Sequence, residues 1–284
     1  MPITKLSSRL ILLCFALAQV ACDAPPITID YHPVKAGNVA TAKVVFLAGP
    51  DSHGPGAHEH RAGSELLAAA LRERRQDIET VNVYGGWPED ESVLADADAL
   101  VMYCDGGEGH LINRHLDAFN GLLNKGVGVV ALHYCVEVPK GSSSATAMLR
   151  ATGGYFETDW SVNPHWEAQY VSLPEHPVTA HIEPFAQLDE WYFNMRFANE
   201  GVTPILSAIA PPQTMERSNG AHSGNDAVRK LVADGRPQVT AWALVRDDGG
   251  RGFGYTGGHF HKNWQEDNAR NLILNAIEWV AKLP

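Results

Sequence analysis

From Lys43 onward, short apolar runs alternate with stretches in which apolar residues recur at helical spacing. "KVVFLAG" is a continuous apolar run closed by glycine, the pattern of a buried strand, and Ala62 to Arg75 then carries apolar residues on one helical face under an arginine-rich outer face. "IETVNVYGG" and "ALVMYCDGG" predict a second and a third strand, "RHLDAFNGLLNKG" a helix ending at Gly126, and "VGVVALHYC" a fourth strand. Parallel neighbours need crossover helices, which cover both faces, so this alternation predicts an α/β layered fold with a mostly parallel sheet. From Gly153 to about Asn225 the pattern changes to aromatics, prolines and β-formers, read as an inserted region of strands and long loops over the sheet. "QVTAWALV" and "RGFGYTG" flank the turn "RDDGG" and predict an antiparallel hairpin. Asp267 to Lys282 closes the chain as a helix, with Leu272, Ile273, Ala276, Ile277 and Val280 on one stripe.

Ligands of such sheets sit beyond the carboxyl ends of the strands. Polar groups gather at those ends: "AGPDSHGPGAHEH" after the first strand, "DGGEGH" after the third and "HYCVE" after the fourth. These runs are expected to share one mouth.

The 284 residues suffice for one large domain, and a formal charge of −11 argues against a nucleic-acid surface and for a small-molecule partner. Residues 1–22 read as an export leader: Lys5 and Arg9, then "LILLCFALA", then small residues around Ala18, Ala21 and Cys22. "QVAC" resembles the box before a lipidated cysteine, with Gln19 at a usually aliphatic position, so membrane association would run only through an anchor at Cys22. The expected location is periplasmic or extracellular. Residues 23–41 read as an arm or linker and 42–284 as the domain. Outside the leader only Cys104 and Cys135 remain, which excludes a disulfide scaffold and leaves either two half-buried thiols or one bridge.

The chemistry concentrates in histidines. In "HGPGAHEHR", His53 follows the strand most closely and is the stronger ligand candidate, while His58 and His60 read equally as surface loop residues. His133 interrupts "VVALHYC" where a buried strand ends, with Glu137 four residues on to orient it or to act as a separate carboxylate. His165 and the pair Asp189-Glu190 lie among aromatics in the inserted region. In "GYTGGHFH" the glycines let the backbone turn and approach a ligand closely, and His259 and His261 would point to opposite sides of an extended chain.

"FLAGPDSHGPGAHEHRAG", "MYCDGGEGH", "ALHYCVEVPKG", "GGYFETDWSVNPHW", "DEWYFNMRF", "HSGN" and "GRGFGYTGGHFHKNW", in this order, resemble the ThuA-like, or trehalose-utilisation, family over about Lys43 to Leu283. The resemblance implies a flavodoxin-like fold related to class I glutamine amidotransferases, a three-layer sandwich, and a role in carbohydrate catabolism with oxidised (keto) sugars as possible substrates. In those amidotransferases a cysteine nucleophile follows a central strand. Here that position falls at His133, and the late histidine pattern matches "GGHFHKN", with His261 at the histidine and Asn263 in place of a glutamate. Cys135 is displaced by two residues, so a thioester route to glutamine hydrolysis lacks its attacking group.

Three functional readings follow. The first is an enzyme converting a glycoside or disaccharide with a divalent metal, zinc or another first-row ion, held by His53, His133, His165 and His259. His133, Glu137, Glu190 and His261 are its catalytic candidates, and Asp105, Trp166, Tyr192, Arg196, Asn263 and Trp264 its carbohydrate-binding candidates. The second is a carbohydrate-binding module without turnover. The third is a thiol hydrolase using Cys135, which needs a histidine beside the sulfur and a depressed thiol pKa.

Overall fold

The computed structural model describes residues 26–34, 37 and 39–284. The leader, with Cys22 and the cleavage sites read there, lies outside the described residues.

Strands β1 (Thr28–His32), β2 (Ala42–Ala48), β3 (Ile78–Tyr84), β4 (Ala99–Tyr103) and β5 (Gly128–Leu132) lie in the first half of the chain. β6 (Gly154–Tyr155), β7 (His165–Tyr170), β8 (Phe185–Glu190) and β9 (Arg196–Phe197) form the inserted region, and β10 (Val202–Ala208), β11 (Gln238–Val245) and β12 (Arg251–Tyr255) return to the main sheet. The helices are α1 (His60–Arg74), α2 (Leu116–Asn124), α3 (Ser143–Thr152), α4 (Asp226–Ala233) and α5 (Asp267–Val280). The main sheet has eight strands in the order β1-β3-β2-β4-β5-β12-β11-β10. The five from β3 to β12 run parallel, and β1, β11 and β10 pair antiparallel at the edges. The parallel core β3-β2-β4-β5-β12 has the flavodoxin order, in which chain direction across the sheet reverses between β2 and β4.

Burial on both faces explains why the central strands are apolar without alternation. Val44 and Phe46 face a layer that includes Leu67, Ala68 and Leu71 of α1 and Leu272, Ile273 and Ile277 of α5. Val45 and Leu47 face the opposite layer, with Phe119 and Leu123 of α2 and Ala145 and Met148 of α3. The result is the three-layer α/β sandwich expected from the sequence.

Several features depart from the sequence reading. β10 falls within the stretch read as lying over the sheet but pairs with β11 as an edge strand of the main sheet, and α4 has no counterpart in that reading. The segment read as an arm supplies β1, whose Thr28 to His32 register against Tyr84 to Thr80 and close one edge of the sheet. α3 was not legible: "SSATAMLRAT" is capped by Ser142, whose side chain accepts the N–H of Ala145, and stopped by Gly153 in the left-handed conformation. Cys104 and Cys135 are free, and both are buried rather than half-buried.

Candidate functional site

Each parallel strand delivers a loop to the carboxyl edge, and three of these loops meet an acidic strand end from the insertion. The loop after β2 brings His58, His133 opens the turn after β5, the turn after β12 carries His259, and β8 ends on Glu190. One ligand atom from each of these four residues lies within 4.8 Å of those from the other three. His58 is 1% exposed, His133 fully buried and His259 8% exposed, so bulk water does not reach most of this cluster.

Local backbone conformation makes the convergence possible. His133 has φ of 54° and His58 of 47°, left-handed values that are costly for a residue with a side chain and that recur at functional turns. The loop carrying His58 is tied to the turn of β12 by a hydrogen bond from His58 N–H to the His259 carbonyl at 3.0 Å. Gly258 has φ of +105°, and a Cβ there would lie 2.5 Å from the Trp264 ring, so only glycine fits this turn. Asp189 is fully buried and accepts the N–H groups of Gly258 at 2.7 Å and His259 at 3.0 Å, fixing the turn from below.

The hydrogen bonds around the rings decide where their lone pairs point. His133 Nδ1 lies 2.9 Å from the Thr256 carbonyl, which can only accept, so Nδ1 carries the proton and Nε2 is bare in the neutral ring. Burial, and next the neighbouring imidazole of His58, hold His133 well below the ordinary histidine pKa, so the ring is neutral. His58 Nδ1 lies 2.9 Å from Asp105 Oδ1. Burial opposes ionisation of Asp105, but hydrogen bonds from His58 and Ser52 outweigh it and hold the carboxyl below its usual value. His58 therefore donates from Nδ1 and turns a bare Nε2 inward. That atom is 3.0 Å from His133 Nε2 and 3.0 Å from His259 Nδ1. Glu190 Oε2 completes the group, 3.2 Å from His259 Nδ1 and 3.5 Å from His133 Nε2. Two lone pairs facing each other repel, and a cation between them removes the repulsion. Three imidazoles and a carboxylate form a donor set suited to zinc or a neighbouring first-row ion.

Several residues anticipated from sequence stand here in other roles. Tyr192, a carbohydrate candidate, is 2% exposed, and its hydroxyl lies 3.2 Å from both His133 Nε2 and Glu190 Oε2. Asp105 orients His58. His165 reaches Glu190 only at 3.8 Å from an exposed position, and His53 is exposed with its Nδ1 2.9 Å from Ser52 Oγ, so neither belongs to the inner group. His58, read as a loop residue, takes the place expected of His53. His261 points away from the cluster, with its Nδ1 3.6 Å from Glu59 Oε2. Trp166 is 3% exposed and donates to the Trp191 carbonyl, Trp264 is fully buried, and Asn263 donates to Leu188 and Asp189, so these three pack and brace rather than face a ligand. Arg196 is held by Glu157 at 2.8 Å and lies over the Trp160 ring at 3.8 Å. Glu137 pairs with His222, which the sequence reading did not single out.

Cys135 Sγ lies 3.3 Å from His110 Nε2, the proximity a thiol nucleophile needs. Burial, however, drives its pKa well above the ordinary thiol value, with the neighbouring Cys104 adding to the shift, and the residue has no exposed surface. An inaccessible thiol of that kind is a packing group.

Two ThuA-like proteins of solved structure are similar to this chain in fold. One, from Bacteroides uniformis, matches with a TM-score of 0.59 at 17% identity over 88% of this chain and 95% of its own. The other, from Parabacteroides merdae, matches with 0.55 at 15% identity over 84% and 90%. No curated protein matches the sequence. The family model described as ThuA, trehalose utilisation, matches residues 45–280, which include every residue of the cluster and all of the sandwich except β1 and the start of β2, and the chain therefore belongs to the ThuA family.

Proposed function

We propose that this protein is an exported carbohydrate-active enzyme that uses a divalent first-row ion to cleave or convert a glycoside or disaccharide, keto sugars included. Membership of a trehalose-utilisation family supports the substrate class. The observation that carries the reading is the convergence of bare Nε2 atoms of His58 and His133, 3.0 Å apart, on His259 and Glu190. A pocket built only to hold sugar hydroxyls has no need of facing lone pairs.

His58, His133 and His259 would hold the ion, with Glu190 as a fourth ligand or as the carboxylate that receives a proton beside it. When bound, the ion supplies Lewis acidity toward an oxygen of substrate or water. The chain's own groups do the rest. Asp105 and the Thr256 carbonyl fix the His58 and His133 tautomers. Tyr192 bridges His133 and Glu190 and keeps the carboxylate turned inward. Asn163 donates to Glu190 Oε1 at 3.0 Å and holds the other carboxylate oxygen.

The test is elemental analysis of the purified protein with a turnover assay on 3-keto and ordinary disaccharides, repeated on His133→Ala. Stoichiometric metal and turnover, both lost in the variant, are expected. Turnover unchanged in His133→Ala would refute the assignment, and sugar binding without metal or product would leave a binding module.

A further inference from the structure

Beside the cluster stands a second pair that the reading above does not use. His222 Nε2 lies 3.0 Å from both carboxylate oxygens of Glu137. The Glu137 side chain is 4% exposed and that of His222 35%, so a buried carboxylate holds an imidazole that reaches solvent. We infer that His222, oriented by Glu137, is a proton-transferring group of this site, beside the imidazole and carboxylate cluster. The inference rests on the proposed conversion of a glycoside.

Geometry places the pair at the site. The Phe156 ring stacks on His222 at 5.2 Å and meets Tyr192 edge-on at 5.3 Å, while the Tyr192 hydroxyl touches His133 and Glu190. One phenyl ring therefore separates His222 from the residue that touches the cluster. Asn163 ties the two halves a second way: its N–H donates to the His222 carbonyl at 3.1 Å and its side chain to Glu190. Glu137 is itself built in. A Cβ at Gly106 would lie 2.8 Å from Glu137 Cβ, so that glycine lets the loop after β4 close over the carboxylate, and Gly107 N–H donates to the Glu137 carbonyl at 3.1 Å.

The pairing sets the tautomer. Glu137 can only accept, so His222 donates from Nε2 and its Nδ1 is bare, with no hydrogen bond among the described residues. An imidazole whose far N–H is held by a buried carboxylate, and whose near nitrogen is free, is arranged to take up and return a proton. The hydrogen bond to Glu137 raises the His222 pKa above the ordinary value, burial opposes it, and the charges of Glu137 and Glu190 favour the imidazolium while Arg217 disfavours it. The phenols of Tyr134 and Tyr192 also feel both carboxylates and remain neutral. In a hydrolytic turn, water gives a proton to Nδ1 as its oxygen bonds to the glycosidic carbon. The bond from that carbon to the leaving sugar breaks with its electron pair on oxygen, and His222 returns the proton there. Glu137 acts through His222 and is a positioning residue.

The experiment compares kcat, KM, metal content and the pH profile of kcat for wild type, His222→Ala and Glu137→Gln on the disaccharide that wild type converts. His222→Ala is expected to lose roughly 100-fold or more in kcat, with metal content unchanged and partial rescue by added imidazole, which a packing role would not give. Glu137→Gln is expected to move the His222 limb of the profile to lower pH, and an NMR titration of the His222 ring should show the same shift without substrate. Wild-type kcat and pH profile in His222→Ala would overturn the inference alone, as would an unmoved titration in Glu137→Gln. A wild type that converts no disaccharide would remove the glycoside reading and this inference together.

Discussion

Asp189 holds His259 through the backbone: Oδ1 accepts the His259 N–H at 3.0 Å and the Glu190 N–H at 2.8 Å, so one buried oxygen sets the approach of two cluster residues. Its other oxygen accepts from Gly258 at 2.7 Å and from Asn263 at 2.8 Å. With four donors on one carboxylate, replacement by an amide of the same shape must turn its NH2 against two of them. Asp189→Asn is therefore expected to destabilise the fold by about 3 kcal/mol, and to lower metal content by loosening the His259 turn. Denaturant midpoints and metal stoichiometry check both effects.

How far the site was legible depends on what fixes each residue. His133 and His259 could be found because a polar ring ends an apolar strand or follows a Gly-Gly turn, and both signals are local. Glu190 was marked by an acidic pair among aromatics. The choice of His58 over His53 was not available from sequence. It depends on left-handed backbone at both residues and on the bond from His58 N–H to a carbonyl 201 residues away, neither of which leaves a periodic trace. His222 sits in "HSGN" with no apolar pattern around it and becomes informative only through Glu137. Trp166, Trp264 and Asn263 were assigned to carbohydrate because of their chemistry, whereas the structure uses them to pack and brace the turn. The parallel core was legible because strands buried on both faces must be continuously apolar.

Acid should weaken this fold through histidines that are buried neutral. His110 is 3% exposed, and burial depresses its pKa to about 4 from an ordinary 6.5, with the bond to the Cys135 carbonyl only partly opposing. Below 6.5 the unfolded chain takes up a proton that the folded ring refuses, so stability is full above that pH and falls as pH drops toward 4. The expected loss from this residue is about 3 kcal/mol. Urea unfolding at a series of pH values should show the slope, and His110→Gln should flatten it while costing stability at neutral pH.

If Cys135 is a packing group, its sulfur is dispensable for chemistry. Cys135→Ala should retain wild-type kcat and metal content while losing about 1 kcal/mol of stability for the small cavity left behind. Unfolding curves give the second number and the disaccharide assay the first. A collapse of turnover with an intact fold would restore the thiol reading, since His110 already lies 3.3 Å from that sulfur.

The contrast between His53 and His58 gives the most selective test of the metal centre, because the rings are neighbours, 3.8 Å between centroids, yet only one turns a bare nitrogen into the cluster. His58→Ala removes a ligand and leaves the His133 lone pair without the partner it faces at 3.0 Å, so stoichiometric metal should be lost. His53→Ala removes an exposed ring bonded to Ser52 and should leave metal content unchanged. Asp105→Ala lies between them: the His58 ring remains, but only the Ser52 hydroxyl, 3.2 Å away, is left to hold its proton on Nδ1, and metal affinity should fall roughly 10- to 100-fold. Competition with a chromogenic chelator ranks the three variants. The order His58, Asp105, His53 is the expected one, and a larger effect at His53 than at His58 would move the centre to the exposed side of the loop.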